Sequence, residues 1–306
     1  MNRFAYWMLL LPCFLGSLLG CQAQYTIIEH SDVHVPVTGD QPTVLIEMFN
    51  GPIQISPVAA NEITGQLTVR AVGADKEEAE KEIQAIDFDI QPNVEGKIVI
   101  KAIRKDGSKS WNGSGTEIQV QVPERCRLEL VSSNGRILVD GRARGVQARS
   151  SNGSITLQDI QNAVNVKTTN GAVNCTGVVG EATIETSNAM VNVTGKRMLL
   201  QCKSSHGSIR FAGDLAPGNH RVQTSNSNIT ATLPADTQLT LDASTSNGRI
   251  SNDFKLQDAN SNRSRNNLKG MIGASEAGKT TLTLKTSNSS ISIKRSKGNP
   301  ASSEAD

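Results

Sequence analysis

Along most of the chain, apolar residues come in pairs two apart with a polar residue between them. Six and four residues before a recurrent Asn stand Leu128 and Leu130, Val164 and Val166, Leu200 and Cys202, and Leu282 and Leu284. Three and five residues after it stand Ile137 and Val139, Ile155 and Leu157, Val191 and Val193, and Ile291 and Ile293. A period of two marks a strand with one buried face. Each unit therefore predicts strand, tight turn, strand and second turn. The turn phrase is two hydroxyl residues, Asn, usually Gly, a variable residue, then Ile or Val, as in Ser132-Ser133-Asn134-Gly135-Arg136-Ile137. Its central residue recurs at Asn134, Asn152, Asn170, Asn188, His206, Asn226, Asn247 and Asn288, at intervals of 18, 18, 18, 18, 20, 21 and 41 residues. A further copy stands upstream at Asn50, flanked by Val44 and Ile46 before it and Ile53 and Ile55 after it.

Eighteen residues cannot bury an apolar face alone, so the units must stack on one another. The expected fold is all-β, a β-solenoid of about nine two-strand coils over residues 42–295. The turn is expected to need positive φ, which Gly adopts freely and Asn tolerates. Because the Asn recurs at one height in every coil, its amide can bond to the Asn above and below, as a ladder. The hydroxyl residues before it can bond turn backbone. His206 fits the same row as a surface or laddering imidazole.

Two stretches interrupt the period. Residues 57–125 contain Asp75 and Glu78, a capping-box start, then Ala79, Ile83 and Ile86 at helical spacing, followed by alternating segments at 97–100 and 117–122. This predicts a small inserted α+β cap with one short helix. Residues 253–279 are rich in Asn, Ser, Arg, Lys and Gly and read as a long loop. The tail from about Ser296 is polar and reads as disordered.

Residues 1–20 carry Arg3, an apolar run from Phe4 to Leu15, and Leu18-Leu19-Gly20 before Cys21. The run is too short to span a bilayer and matches a secretory signal. Leu-Leu-Gly-Cys resembles the bacterial lipobox. That resemblance implies cleavage before Cys21, acylation of that Cys (palmitate among the chains), and residues 21–41 as lipid anchor and linker. Gln22 rather than Asp follows, which points to the outer membrane over the inner.

Charge adds little. The 31 basic residues less Arg3 leave 30 against 29 acidic, so nothing draws the protein to nucleic acid. Cys126, Cys175 and Cys202 remain once Cys13 and Cys21 are set aside, and the last two fall in inward columns as small core residues. A Cys175–Cys202 disulfide is conceivable, although the two sit in opposite strand columns. His30 and His34 lie on a stretch that alternates like a strand, and no ligand cluster suggests a metal site or cofactor. Trp111, within Ser110-Trp111-Asn112-Gly113, is the aromatic expected to be exposed as a contact residue.

The turn phrase, its period, and Val122-Pro123 before Leu128-Glu129-Leu130 resemble the bacterial envelope family labelled "putative adhesin", over roughly residues 40–295. The resemblance implies a β-solenoid in the envelope and transfers no catalytic residues. The leading expectation is a lipid-anchored, non-enzymatic surface for adhesion or scaffolding, with an envelope glycan or protein as partner. A periplasmic envelope-stress sensor or regulator partner is the alternative. A polysaccharide lyase or hydrolase is the enzyme alternative, although no recurring carboxylate pair is visible.

Overall fold

The structure is a computed structural model that describes residues 24–94, 96–108, 110–111, 113–257, 262–273 and 279–296. The signal segment, Cys21 and the tail beyond Ser296 lie outside the described residues. The described chain divides into two compact units, residues up to 143 with 148–153, and residues 144–147 with those from 154 onward. Both are built from β-solenoid coils, and one helix is the exception to an otherwise all-strand element list.

The first unit holds β1 (Tyr25–Pro36), β2 (Thr43–Met48), β3 (Ile53–Val58), β4 (Glu62–Gly73), α1 (Lys76–Ala85), β5 (Ile86–Val94), β6 (Lys97–Arg104), β7 (Gly115–Pro123), β8 (Arg127–Ser132) and β9 (Ile137–Val139). The coil around Asn50 is β2 and β3. It lies between two others: β2 pairs in parallel with β6 on one side and β8 on the other, and β3 with β7 and β9. The segment expected as a cap is thus partly coil, since β6 and β7 stack as a solenoid turn that lacks the Asn phrase. The capping strands proper are antiparallel: β5 on β6, β4 on β7, and β1 on β4. Residues 25–36, expected as linker, are strand β1, with Val33 and Val35 buried.

Helix α1 follows from its sequence. Asp75 accepts from the Glu78 amide at 2.8 Å, and Glu78 accepts in turn from the Ala74 amide at 2.7 Å, a reciprocal cap. Its buried face carries Ala79, Glu82 and Ile83.

Strand β10 (Ala143–Ser150) contributes residues to both units. The second unit then holds β11 (Ile155–Gln158), β12 (Ile160–Thr168), β13 (Val173–Glu185), β14 (Val191–Lys203), β15 (Ile209–Leu215), β16 (Gly218–Gln223), β17 (Ile229–Leu233), β18 (Leu239–Thr245), β19 (Ile250–Asn252), β20 (Asn262–Arg263), β21 (Asn267–Ile272), β22 (Thr280–Thr286) and β23 (Ile291–Arg295). Its coils stack in parallel with like residues in register, for instance Val173 with Val191 and Ile184 with Cys202. Chain order is exchanged at the end. The last coil, β22 and β23, inserts between β16–β17 and β18–β19. Strand β21 then lies antiparallel on β18, with Leu268 and Ile272 buried. Part of the expected loop at 253–279 is therefore a core-facing strand.

The four apolar columns point inward. From Val164 and Val166 through Ile291 and Ile293 most members are fully buried, whereas Ile250 and Asn252, in the coil at the end of the stack, are half-buried.

The turn glycines have a different cause from the one expected. Of the repeated phrase only Asn50 has positive φ, 55°, and Gly51, Gly135, Gly153, Gly207 and Gly248 do not. They are required by stacking. A Cβ on Gly135 would stand 1.7 Å from the Gly51 carbonyl oxygen, and one on Gly153 1.9 Å from that of Gly135. At these glycines the turn rests on the backbone of its neighbour with no room for a methyl group, whereas the coils of Asn188, Asn226 and Asn288 carry Ala189, Ser227 and Ser289 at the same position.

Candidate functional site

The Asn row forms hydrogen bonds from coil to coil, all in one sense. Asn134 donates to Asn50, Asn152 to Asn134, Asn188 to Asn170, Asn288 to Asn226 and Asn247 to Asn288, at 2.5–2.8 Å. Asn50 donates to the Ser114 carbonyl at 3.0 Å. The order of donors follows the exchanged order of coils, so Asn288 lies between Asn226 and Asn247. These amides are spent on one another. Inside the row runs a column of buried hydroxyls, among them Ser132, Ser150, Thr168, Ser204 and Thr245. Each accepts from the amide of the turn Gly three residues on, at 2.9–3.3 Å. Thr224, Thr245 and Thr286 also donate to carbonyls of a neighbouring coil. The Asn row is thus occupied in holding the coils together. Over the His206 coil the Ser227 hydroxyl donates to the His206 carbonyl.

Trp111 is half-buried rather than free. Its ring stacks on Phe49 at 4.5 Å between centroids, and it packs against the cluster of Val69, Ala71, Ile83 and Ile86. The Arg104 guanidinium lies 5.8 Å from the Trp111 ring centre. Arg104 is itself buried, held by both oxygens of Glu82 and by Asp106. The hydrogen bond from Arg104 holds the Asp106 carboxyl down at about 2, and those from Asp106 and Glu82 push the guanidinium above its usual range. A bidentate pair with an aromatic lid locks the turn of the β6–β7 coil where the Asn phrase is missing.

The remaining singled-out groups are structural. His30 bonds Thr68 at 2.9 Å and His34 pairs with Glu62 at 2.8 Å. Cys126, Cys175 and Cys202 are free and buried, and burial pushes their thiols up, to about 11 for Cys126 and about 12 for Cys175. Such thiols are poor nucleophiles. Among the described residues no group of three or more His, Cys, Asp or Glu is placed to hold a metal ion. No helix among them is long and apolar enough to cross a membrane.

One surface feature is marked by no motif in the sequence. On the outward face of β13, β14 and β16, within the second unit, is a groove of about 160 Å³ lined by Thr183, Glu185, Gln201, Lys203, Arg221 and Gln223. Its side chains come from the positions five and three residues before each turn Asn, the outward partners of the core columns. Register sets the neighbours: Gln201 lies beside Arg221, Lys203 beside Gln223, and Gln223 beside Lys285 of β22. Glu185 is committed to Lys167 at 3.5 Å, and Arg221 bonds the Gln223 side chain at 3.2 Å. The clue lies in the residues between the apolar columns, which here are Thr, Glu, Gln, Lys and Arg and include no aromatic.

The period, the turn phrase and the parallel stack agree with a family model that matches residues 49–294. The chain belongs to the Toastrack DUF4097 family. Toastrack folds are β-solenoid-like, as found here. None of the curated proteins matches this Toastrack chain significantly. Among solved structures, it is similar to a "putative cell adhesion protein" from Clostridium sporogenes at 12% identity, covering 87% of this chain and 100% of that one, with a TM-score of 0.26. It is similar to a "putative adhesin" from Parabacteroides merdae at 11% identity, covering 88% and 96%, with a TM-score of 0.32. A "putative lipid binding protein" from Parabacteroides distasonis is similar at 11% identity over 88% and 97%, with a TM-score of 0.33.

Proposed function

We propose that this Toastrack protein is a lipid-anchored, non-enzymatic component of the bacterial cell envelope. In this reading it presents the outward face of its solenoid as an adhesin-like or scaffolding surface. The observation that carries the reading is the short interval between the lipobox Cys21 and Tyr25, where β1 begins. Four residues reach at most about 14 Å. Acyl chains on Cys21 would hold β1, and with it the antiparallel cap of the first unit, beside the bilayer and not on a long stalk. Gln22 favours the outer membrane.

A surface role agrees with the groove. Glu185 is its one acidic lining residue and is already paired, so the acid and base that glycoside cleavage calls for are not supplied there. The ladder asparagines and buried thiols offer no nucleophile either.

The test is metabolic labelling with a palmitate analogue, followed by protease shaving of intact cells, for the natural chain and for Cys21→Ser. Label on the natural chain only, with removal of the domain by external protease, is the expected result. Equal labelling of the two would overturn the anchor. Protection of the domain until the envelope is opened would overturn the surface role.

A further inference from the structure

We infer that the groove on β13, β14 and β16 and the cation beside it on β22 form a binding site for an acidic polysaccharide, one carrying carboxylates among its hydroxyls. The inference rests on the surface-protein reading and names its ligand class.

Three cations carry it: Lys203, Arg221 and Lys285. All are exposed. Registers place Lys203 and Lys285 on the two strands that flank Gln223, hence about 10 Å apart, with Arg221 about 7 Å along the strand from Gln223. Two carboxylates flank the site by register, Glu185 beside Lys203 and Asp242 beside Thr283, and each is paired with a cation outside it: Glu185 with Lys167 at 3.5 Å and Asp242 with Lys269 at 3.7 Å. No carboxylate is paired with Lys203, Arg221 or Lys285 among the described residues. What remains is a local excess of positive charge on a chain whose overall charge is close to neutral, formally +2.

The polar groups between the cations decide the class of ligand. Gln201, Gln223 and Thr283 lie among them, with Thr183 at the edge on β13, and their amides and hydroxyls donate to and accept from sugar hydroxyls. The Arg221 fork matches a carboxylate, and the lysines act as point charges. The apolar residues of the groove, Ile184 and Cys202, are buried in the core and do not project to enter a lipid layer, and its lining has no aromatic on which a nucleobase would stack. Charge complementarity and the amides and hydroxyls beside the cations together fit an acidic glycan laid across the strands.

The test uses the full chain purified in detergent and immobilised polygalacturonate, with neutral dextran and inorganic polyphosphate as comparators. Binding to polygalacturonate is expected, weakening as salt rises, with dextran and polyphosphate bound more weakly. The triple variant K203Q/R221Q/K285Q should lose about tenfold in affinity, three exposed contacts each contributing modestly. Removing two charges elsewhere, with K76Q/K81Q on α1, should change affinity less than twofold. Unchanged thermal melts keep the comparison valid, because all five residues are exposed. Failure to bind polygalacturonate, an equal loss in both variants, or equal or tighter binding of polyphosphate would overturn the inference. Binding is read on the purified chain, so failure here leaves the anchoring result standing, and failure of anchoring leaves this result standing.

Discussion

Gly153→Ala isolates the cause of the turn glycine. Its φ is not positive, so a methyl group adds no backbone strain of its own. The Cβ would nevertheless stand 1.9 Å from the Gly135 carbonyl oxygen and 2.4 Å from its carbon, more than 1 Å inside normal contact. The two turns must part, and several hydrogen bonds sit at that point. Asn152 donates to Asn134 at 2.6 Å, the Ser151 and Asn152 amides reach the Ser133 carbonyl at 3.1 and 3.2 Å, and the Gly153 amide reaches Ser150 at 3.0 Å. Overpacking costs about 1–3 kcal/mol, and each weakened bond adds up to about 1 kcal/mol. The lost unfolded-state entropy of Gly returns about 0.4–1 kcal/mol. A net loss of about 2–4 kcal/mol follows, or roughly 3–6 °C in Tm for a chain of this size. Urea unfolding followed by far-ultraviolet circular dichroism measures it, with Ser154→Ala, one residue on and half-buried, as the comparison within about 0.5 kcal/mol of the natural chain. Equal midpoints for the two variants would refute the stacking argument.

Val166→Asp puts a carboxylate in a fully buried column and should cost several kcal/mol, whereas Lys167→Asp, exposed and paired only with Glu185, should cost less than about 1 kcal/mol; differential scanning calorimetry of both decides whether the inward columns are right. His220 is buried and neutral, its Nε2–H donating to the Ala216 carbonyl at 2.8 Å and its Nδ1 accepting from the Leu200 amide at 3.1 Å. Burial lowers its pKa below the ordinary value of about 6.5, so its contribution is whole above that pH and is lost as pH falls from there through the folded-state pKa, by up to about 1.4 kcal/mol per pH unit. The urea midpoint should drop between pH 7.5 and pH 5 by more in the natural chain than in His220→Gln, and equal drops would show that His220 does not titrate on unfolding.

The sequence reveals the unit of the fold because burial repeats with the period. Val166, Ile184 and Ile209 can be placed inside from spacing alone, and Asp75 with Glu78 marks the start of α1. Coil order was not legible. Every coil presents the same register and the same Asn, so a stack with β2 between β6 and β8 reads, along the chain, like one in simple sequence. The intervals of 84 and 41 residues show that something intervenes and not where it goes. Strand β21 was hidden because two buried residues, Leu268 and Ile272, stand in a stretch whose composition is that of a loop. Trp111 was misplaced for a related reason: polar neighbours suggest exposure, but its partners, Phe49 and Arg104, are remote in sequence and arrive only through the stack. The groove is not legible in composition, because its lining is ordinary strand-surface Thr, Glu, Gln, Lys and Arg brought side by side by register.

The exchanged coil order answers a difficulty intrinsic to solenoids. A parallel stack exposes an unpaired edge at each end, and chain ends fray first. In the first unit, the earliest coil in the chain has neighbours on both sides, β6 and β8 against β2, β7 and β9 against β3. In the second, the last coil is flanked in the same way, by β16 and β18 against β22 and by β17 and β19 against β23. Releasing either coil breaks two strand interfaces on each of its strands instead of one. The coils left outermost are closed by strands running the other way, β4 and β5 in the first unit and β21 in the second. Continued parallel stacking finds no matching edge on β6, β7 or β18. Strand β19 is the exception. It is three residues long and among the described residues pairs only with β23, and the Ile250 amide is taken up by the Arg265 carbonyl at 3.0 Å. A short edge with its first donor occupied is a poor template for pairing with a second chain.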